Sequence, residues 1–312
     1  MLLELKEVTQ EFRKRKILED VQLSVEEGDF LGVIGSSGSG KTTLLNIITG
    51  FLEPTEGEVL YHGRATEKPQ NLPRNLARFK KDIGFAPQHS SFYPKLTVQE
   101  NLLHFGRLYG IRPDTLQHNI RNLLEATHLW DHQEKLGEEL SGGMQKRLDI
   151  SCSLVHNPKM LILDEPTADL DPILQEEITA LLQAINRQGI TIVLASHHLD
   201  SVERMCNKIA IVHKGKVGHG LLDEIRAPFA QDHFTITVRS QHKKEELIQQ
   251  MKALPVKKIV DKGHSITIYP EHVESIMNSL LSIIQKEHLE LHHLDVRKPS
   301  LMEIFEKIVR ER

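Results

Sequence analysis

Gly35-Ser36-Ser37-Gly38-Ser39-Gly40-Lys41-Thr42 is the stretch on which the reading of this chain turns. It fits GxxxxGK[ST] at every position, the pattern of a loop that wraps polyphosphate. Such a ligand calls for several backbone N–H groups turned into one concavity, and only small residues let the main chain approach that closely. A helix beginning near Gly40 adds its N-terminal dipole and unpaired amides. Lys41 supplies a positive charge for the β- and γ-phosphates, and the Thr42 hydroxyl is placed to coordinate Mg²⁺. Gly/Ser-rich stretches are otherwise flexible linkers. Here a short apolar strand, Phe30–Ile34, runs in and a helical pattern over 42–50 runs out, and that context excludes a linker.

A loop of this kind needs a carboxylate to hold the metal, at the end of a neighbouring buried strand. Met160-Leu161-Ile162-Leu163-Asp164-Glu165 offers it: an apolar run closed by two adjacent acids. Asp164 reads as the metal carboxylate and Glu165, one step further, as the general base for an attacking water.

Further strands are expected over 2–6, 21–25, 59–62, 83–85, 191–195 and 209–213, with helical patterns between several of them. That alternation predicts an α/β fold whose sheet has a large parallel component. Between about 97 and 155 the pattern turns to helix only, so an all-helical insertion is expected inside the α/β unit. A turn-rich passage over 214–220 and the pair Ala227-Pro228 mark a boundary near 222–232. Beyond it the order βαββαβ, with the turn Asp261-Lys262-Gly263 and one added helix, predicts a small ferredoxin-like α+β module. Ser300 and Glu303 form a capping box behind Pro299.

Composition limits the alternatives. The chain has 312 residues, room for two domains of unequal size. Its 39 basic and 43 acidic side chains leave a net charge of −4, so no nucleic-acid partner is expected. Cys152 and Cys206 form no CxxC pair, and no secretory leader is visible, which favours reduced core thiols. Many of the 18 histidines, among them His242, His264, His292 and His293, stand in polar stretches without companion ligands at metal spacing. No run approaches the roughly 20 apolar residues of a membrane span. Work at a membrane would need another chain to cross it.

The class narrows at Leu140-Ser141-Gly142-Gly143-Met144-Gln145, where Ser141 lies 23 residues ahead of Asp164. Ser-Gly-Gly opening a helix is a second anion-binding terminus on one chain. Here the sequence resembles the ABC ATPases, over residues 1–225. The resemblance implies a P-loop nucleotide-binding domain with a helical subdomain at about 95–156. It also implies ATP and Mg²⁺ as ligands and a signature, Ser141, Gly142 and Gly143, that binds the γ-phosphate of ATP held by the opposite subunit. By the same resemblance Phe12 stacks on adenine, and Thr43 joins residues 35–42 in holding nucleotide. Gln88 in Phe85-Ala86-Pro87-Gln88 is the metal-contacting glutamine that moves with a transmembrane partner. Asp171 in Thr167-Ala168-Asp169-Leu170-Asp171 closes the D-loop, and His197 is the switch histidine that senses the γ-phosphate. His198, its competitor, is expected to face solvent. Two departures stand out: Met144 where glutamine is commonest, and Asp169 where the pattern has Gly or Ala.

The region 232–312, ending in Pro299-Ser300-Leu301-Met302-Glu303-Ile304-Phe305, resembles the C-terminal region of ABC-2-type exporter ATPases, with a structural or dimer-stabilising role implied. Together the resemblances imply an ATP-hydrolysing subunit, homodimeric or heterodimeric. It would be bound peripherally, through separate permease subunits, to the cytoplasmic face of the membrane, and would power export. A non-transport ABC ATPase in a soluble complex is the alternative. DNA-repair members of that kind carry long coiled coils or zinc modules, and translation-factor members two cassettes. This chain has a short helical insertion and one cassette.

Overall fold

In the computed structural model the apolar runs become fully buried parallel strands, and the structure describes residues 1–63, 69–229, 233–238, 241–263, 265–271, 273–286, 291–297 and 300–310. The chain divides into two compact units, Met1–Leu222 and Asp223–Arg312. The first half of unit one runs β1 (Leu3–Phe12), β2 (Arg15–Val25), β3 (Phe30–Ile34), α1 (Lys41–Ile48), β4 (Glu56–Tyr61), β5 (Gln70–Asn71), α2 (Leu76–Phe79) and β6 (Ile83–Ala86). Then come α3 (Val98–Leu108), α4 (Pro113–Ala126), α5 (Gly142–Leu154), β7 (Met160–Asp164) and α6 (Pro172–Arg187). The last elements are β8 (Thr191–Ala195), α7 (Leu199–Met205), β9 (Lys208–His213) and β10 (Lys216–Leu221), and α8 (Leu222–Arg226) opens unit two.

A six-stranded sheet, ordered β10-β9-β3-β8-β7-β6, forms the centre, and every pair but the edge pair β10–β9 is parallel. All residues of β3, β7 and β8 are buried, as strands covered on both faces must be. A second, antiparallel sheet, β2-β1-β4-β5, shares one apolar core with it. The passage over 214–220, expected as turns, is a turn only at Lys214 and Gly215, both left-handed, and then strand β10. Its glycines carry little strand propensity. Residue-for-residue pairing with β9, from Lys216 opposite His213 to Leu221 opposite Lys208, makes it a strand.

The helical insertion is present as expected. The Thr97 hydroxyl accepts the Glu100 N–H at 3.1 Å while the Glu100 carboxylate accepts the Thr97 N–H at 2.8 Å, so a capping box starts α3. Pro113 opens α4 at a position where its missing N–H costs nothing. Leu102, Leu116, Ile120 and Leu124 pack with Leu148 and Cys152 of α5 in a separate small core. Helix α5 therefore belongs to the insertion by one part of its surface. Its C-terminal end lies on the sheet, where the Ser153 hydroxyl donates to the Phe85 carbonyl at 2.9 Å. Both cysteines are buried and free, and burial raises both thiols.

Unit two continues with β11 (His233–Val238), α9 (Gln241–Lys252), β12 (Val256–Asp261), β13 (Ile266–Pro270), α10 (Val273–Lys286), β14 (Leu291–Arg297) and α11 (Leu301–Arg310). Its sheet is antiparallel throughout in the order β12-β13-β11-β14, the ferredoxin-like arrangement of two interleaved βαβ units. Leu247, Met251, Ile266, Ile268, Ile276 and Leu280 make its core. The capping box of α11 is formed, with Ser300 N–H on the Glu303 carboxylate at 3.0 Å and Glu303 N–H on the Ser300 hydroxyl at 3.3 Å. Leu301 and Ile304 are buried on that helix and Phe305 is half-buried. Pro299 and His264 lie outside the described residues, as do the side chains of His242, His292 and His293.

Close packing of α5 on β6 depends on Gly84: a Cβ there would lie 2.2 Å from the Ser153 carbonyl oxygen. Gly84→Ala is expected to destabilise by about 2 kcal/mol or more, a fall of roughly 4–8 °C in the thermal midpoint of unit one by calorimetry. An unchanged midpoint would show that the helix does not bear on this strand.

Candidate active site

The C-terminal ends of the parallel strands carry the loops that form the site, as in other open α/β sheets. The phosphate loop leaves β3. At Gly35 any side chain is excluded, because a Cβ would sit 2.5 Å from both the Ser39 hydroxyl and the Val212 carbonyl. Gly40 caps α1 at φ +111°, a backbone angle that other residues rarely take. Between them Ser36, Ser37 and Gly38 are exposed, and nothing lies within 4 Å of where a Gly38 Cβ would be. Lys41 Nζ donates to the Gly35 and Ser36 carbonyls at 2.9 and 3.3 Å, folding its charge across the loop. The Ser39 hydroxyl is buried and has no hydrogen-bond partner. An open backbone cradle, an ammonium with no carboxylate salt bridge among the described residues and an orphaned hydroxyl fit the phosphates of ATP. Thr43 is half-buried in the first turn of α1.

The Thr42 hydroxyl donates to Asp164 Oδ2 at 3.1 Å. Burial raises the Asp164 carboxyl above its ordinary range; the Thr42 bond and the Lys41 charge pull it down, and Glu165 pushes it up. Glu165 is buried, with φ +51°. Its N–H donates to the Ala195 carbonyl at 2.9 Å, which ties it to the end of the adjacent strand β8. From that strand His197 returns two contacts to one oxygen. Glu165 Oε2 accepts the His197 backbone N–H at 3.3 Å and lies 2.8 Å from its Nδ1. The base candidate is thus oriented by the switch candidate.

His198, expected in solvent, is half-buried against the His197 ring with centroids 4.2 Å apart, while His197 is the more exposed of the two. His198 precedes the first turn of α7, which draws it inwards.

Gln88 is exposed in the loop after β6, and the Ala86–Leu163 register brings that loop out beside Asp164. Phe12 ends β1 with its ring 47% exposed, a free face for stacking. Ser141 caps α5, its hydroxyl accepting the Met144 N–H at 3.4 Å; Ser141 and Gly142 are exposed, whereas Gly143 is packed against Leu174 of α6. Among the described residues no hydrogen bond joins this signature to the phosphate loop of the same chain. Asp171 caps α6 through the Ile173 and Leu174 N–H groups, both at 3.0 Å.

Sequence reading missed three residues here: Lys146, Asp149 and Ser91. Burial lowers the Lys146 ammonium, against the opposing pull of Asp149, Asp164, Asp169 and Glu165. Asp149 is fully buried in α5 and accepts both the N–H and the hydroxyl of Ser91, at 2.9 and 2.5 Å. The available signal was an acid, Asp149, set between Leu148 and Ile150 three residues after Lys146.

A phosphate cradle, an acid bonded to its threonine and a glutamate oriented by histidine define a P-loop ATPase. Residues 18–168 match the family described as ABC transporter, and 220–309 match the ATP-binding protein DrrA1-3-like, C-terminal domain. The Nod factor export ATP-binding protein I of Bradyrhizobium diazoefficiens is 31% identical over 226 residues, 72% of each chain. The linearmycin resistance ATP-binding protein LnrL of Bacillus subtilis is 26% identical over 97% of each. Among solved structures, a dimeric ATP-binding cassette in a post-hydrolysis state with ADP and Pi superposes with a TM-score of 0.61 at 31% identity, covering 71% of this chain and 99% of that one. The chain belongs to the ABC transporter ATP-binding subunits and is an ATPase.

Its departure at Asp169 has a local cause. That residue is exposed with φ +61°, the left-handed region in which glycine is free of strain and Asp is among the better-tolerated alternatives. Asp169→Gly is expected to change stability by less than about 1 kcal/mol, and Asp169→Val to lower it by about 1–2 kcal/mol, both by denaturant unfolding. Equal stability of the two variants would overturn the backbone explanation.

Proposed function

We propose that this subunit powers an exporter by binding two ATP molecules between paired cassettes, each site taking its phosphate loop from one subunit and Ser141, Gly142 and Gly143 from the other. The observation that carries this reading is the pair of exposed anion-binding termini on one chain with no hydrogen bond between them. Each lacks what the other supplies. A two-fold pairing completes both sites at once and closes the assembly. The dimeric state of the matched cassette supports it. The partner copy is this chain or a related subunit.

Residues 35–43 hold the phosphates, and Phe12 offers its ring to the adenine. The Thr42 hydroxyl and Asp164, joined by Gln88, are the ligands for Mg²⁺, a small set that suits an ion otherwise coordinated by phosphate and water. When bound, that ion neutralises charge on the β- and γ-phosphates. Glu165 takes the proton of the attacking water. His197 holds the carboxylate in position and senses the γ-phosphate from the same place, and Asp171 fixes the start of α6 at the interface. No described helix is long and apolar enough to cross a membrane. Separate permease subunits therefore bring the ATPase to the cytoplasmic face, docking beside Gln88 and the helical subdomain. Export is supported by what the relatives are named for, Nod factor export and linearmycin resistance. The ferredoxin-like module, over about 232–312 beyond an ATPase domain of 1–225, carries no acid–base constellation among its described residues and serves assembly.

Glu165→Gln should retain ATP affinity within about threefold, lose roughly 10²-fold or more of turnover, and accumulate an ATP-bound dimer by size-exclusion chromatography. Normal turnover would sink the assignment of the base. Transport is tested separately: affinity purification from membranes should recover an integral membrane protein, and recovery of ribosomes or DNA instead would overturn it.

A further inference from the structure

The best-buried acid of the cassette is outside the nucleotide site. Asp149 lies mid-way along α5 with no exposed surface, among the apolar residues Leu148, Ile150 and Cys152. A buried carboxylate is tolerated only where donors hold it, and the donors hydrogen-bonded to Asp149 are the Ser91 N–H at 2.9 Å and the Ser91 hydroxyl at 2.5 Å. Both fall on Oδ1, while Oδ2 makes no hydrogen bond to the protein. Withdrawal of Ser91 would strand a charge in the core, so Ser91 and α5 move as one piece.

Ser91 follows Gln88 by three residues. Immediately after it the chain is tied again: Asn101 of α3 accepts the Tyr93 N–H at 2.7 Å and donates to the Tyr93, Leu96 and Thr97 carbonyls at 2.9 to 3.2 Å. Gln88, His89 and Ser90 stay exposed. Displacement of that short exposed segment is thus delivered at Ser91.

Helix α5 has the form of a lever. Its far end bears on β6, through the Ser153 hydroxyl on the Phe85 carbonyl and the close approach at Gly84. From that contact Asp149 is about 6 Å along the helix axis and Gly142 about 16 Å, at 1.5 Å per residue. A sideways shift at Asp149 is therefore enlarged roughly 2.7-fold at the signature. Toward its signature end the helix meets α6 through Arg147 Nη2 on Glu177 at 2.5 Å and Gly143 against Leu174, contacts that a rotation of the helix must shift.

We propose that Asp149 is a positioning residue that, by holding Ser91, converts movement of the Gln88 loop into rotation of α5 about its contact with β6 and so sets where Ser141, Gly142 and Gly143 stand. The proposal rests on the reading of Gln88 as the residue that moves with the permease and on the composite site. Burial also raises the Asp149 carboxyl, with the Ser91 bonds and Lys146 opposing, as expected of a group kept buried for its contacts.

The test uses the full-length chain in the Glu165→Gln background, following ATP-dependent dimerisation by size exclusion, monomer affinity with a fluorescent ATP analogue, and thermal unfolding. Asp149→Ala should raise the ATP needed for half-maximal dimer at least tenfold while analogue affinity stays within twofold. Ser91→Ala, which removes only the hydroxyl of a loop residue, should show a smaller loss in the same direction. The double variant should be no worse than Asp149→Ala by more than twofold, because both remove one contact. Asp149→Asn keeps an acceptor for Ser91 and should recover most of the loss. The proposal falls if folded Asp149→Ala and Ser91→Ala dimerise like the parent, or if Asp149→Asn is no better than alanine. Gln88→Ala in the otherwise native chain separates the failures. With its turnover lost and the Asp149 variants normal, the tie alone is wrong. Normal turnover in Gln88→Ala would overturn the reading of the loop and the tie with it.

Discussion

A hydrogen bond of 3.1 Å from the Thr42 hydroxyl to Asp164 joins two strands that are not neighbours. Thr42 follows β3, Asp164 ends β7, and β8 lies between them. The bond exists only because three parallel strands bring their C-terminal ends to one edge of the sheet. It holds the first turn of α1 against an acid that burial would rather see protonated. Around it stand the open backbone cradle of the phosphate loop on one side and Glu165, bonded to His197 just after the intervening strand, on the other. Loss of the parallel order would scatter every one of these groups.

The second constraint is that α5 serves two bodies. Its Leu148 and Cys152 complete the core of the helical insertion, its Ser153 is fastened to β6, and its first residues form the signature. Most helices in the unit bury one stripe and expose another. In α5 the run from Leu148 to Leu154 is buried on all sides. A charged residue can remain in such a run only with dedicated partners, and Asp149 has Ser91. The helix thereby becomes a rigid connector between the loop of Gln88 and the terminus carrying Ser141.

Unit two obeys simpler rules. Its antiparallel sheet and the helices α9 and α10 close around Leu247, Met251, Ile266, Ile268, Ile276 and Leu280, and α11 begins at a formed capping box. The ferredoxin-like order was legible because hairpin and crossover lengths alternate along the chain.

What the sequence determined by itself was whatever depends on a few consecutive residues. Glycines at 35, 38 and 40 with Lys41 define the phosphate loop because its shape is set by local dihedrals. The apolar runs ending at Ile34, Asp164 and Ala195 define buried strands, and Ser300 with Glu303 defines a helix start within one turn of chain. Strand β10 escaped that reading because its glycines favour turns and only the pairing with β9 makes it extended. The half-buried place of His198 escaped it too, since its neighbour in space is set by the strand order. The bond between Glu165 and His197, 32 residues apart, and that between Asp149 and Ser91, 58 apart, were decided by tertiary structure alone. Such contacts depend on which strands lie side by side and where a helix is pressed against them, and no local preference of the chain encodes either.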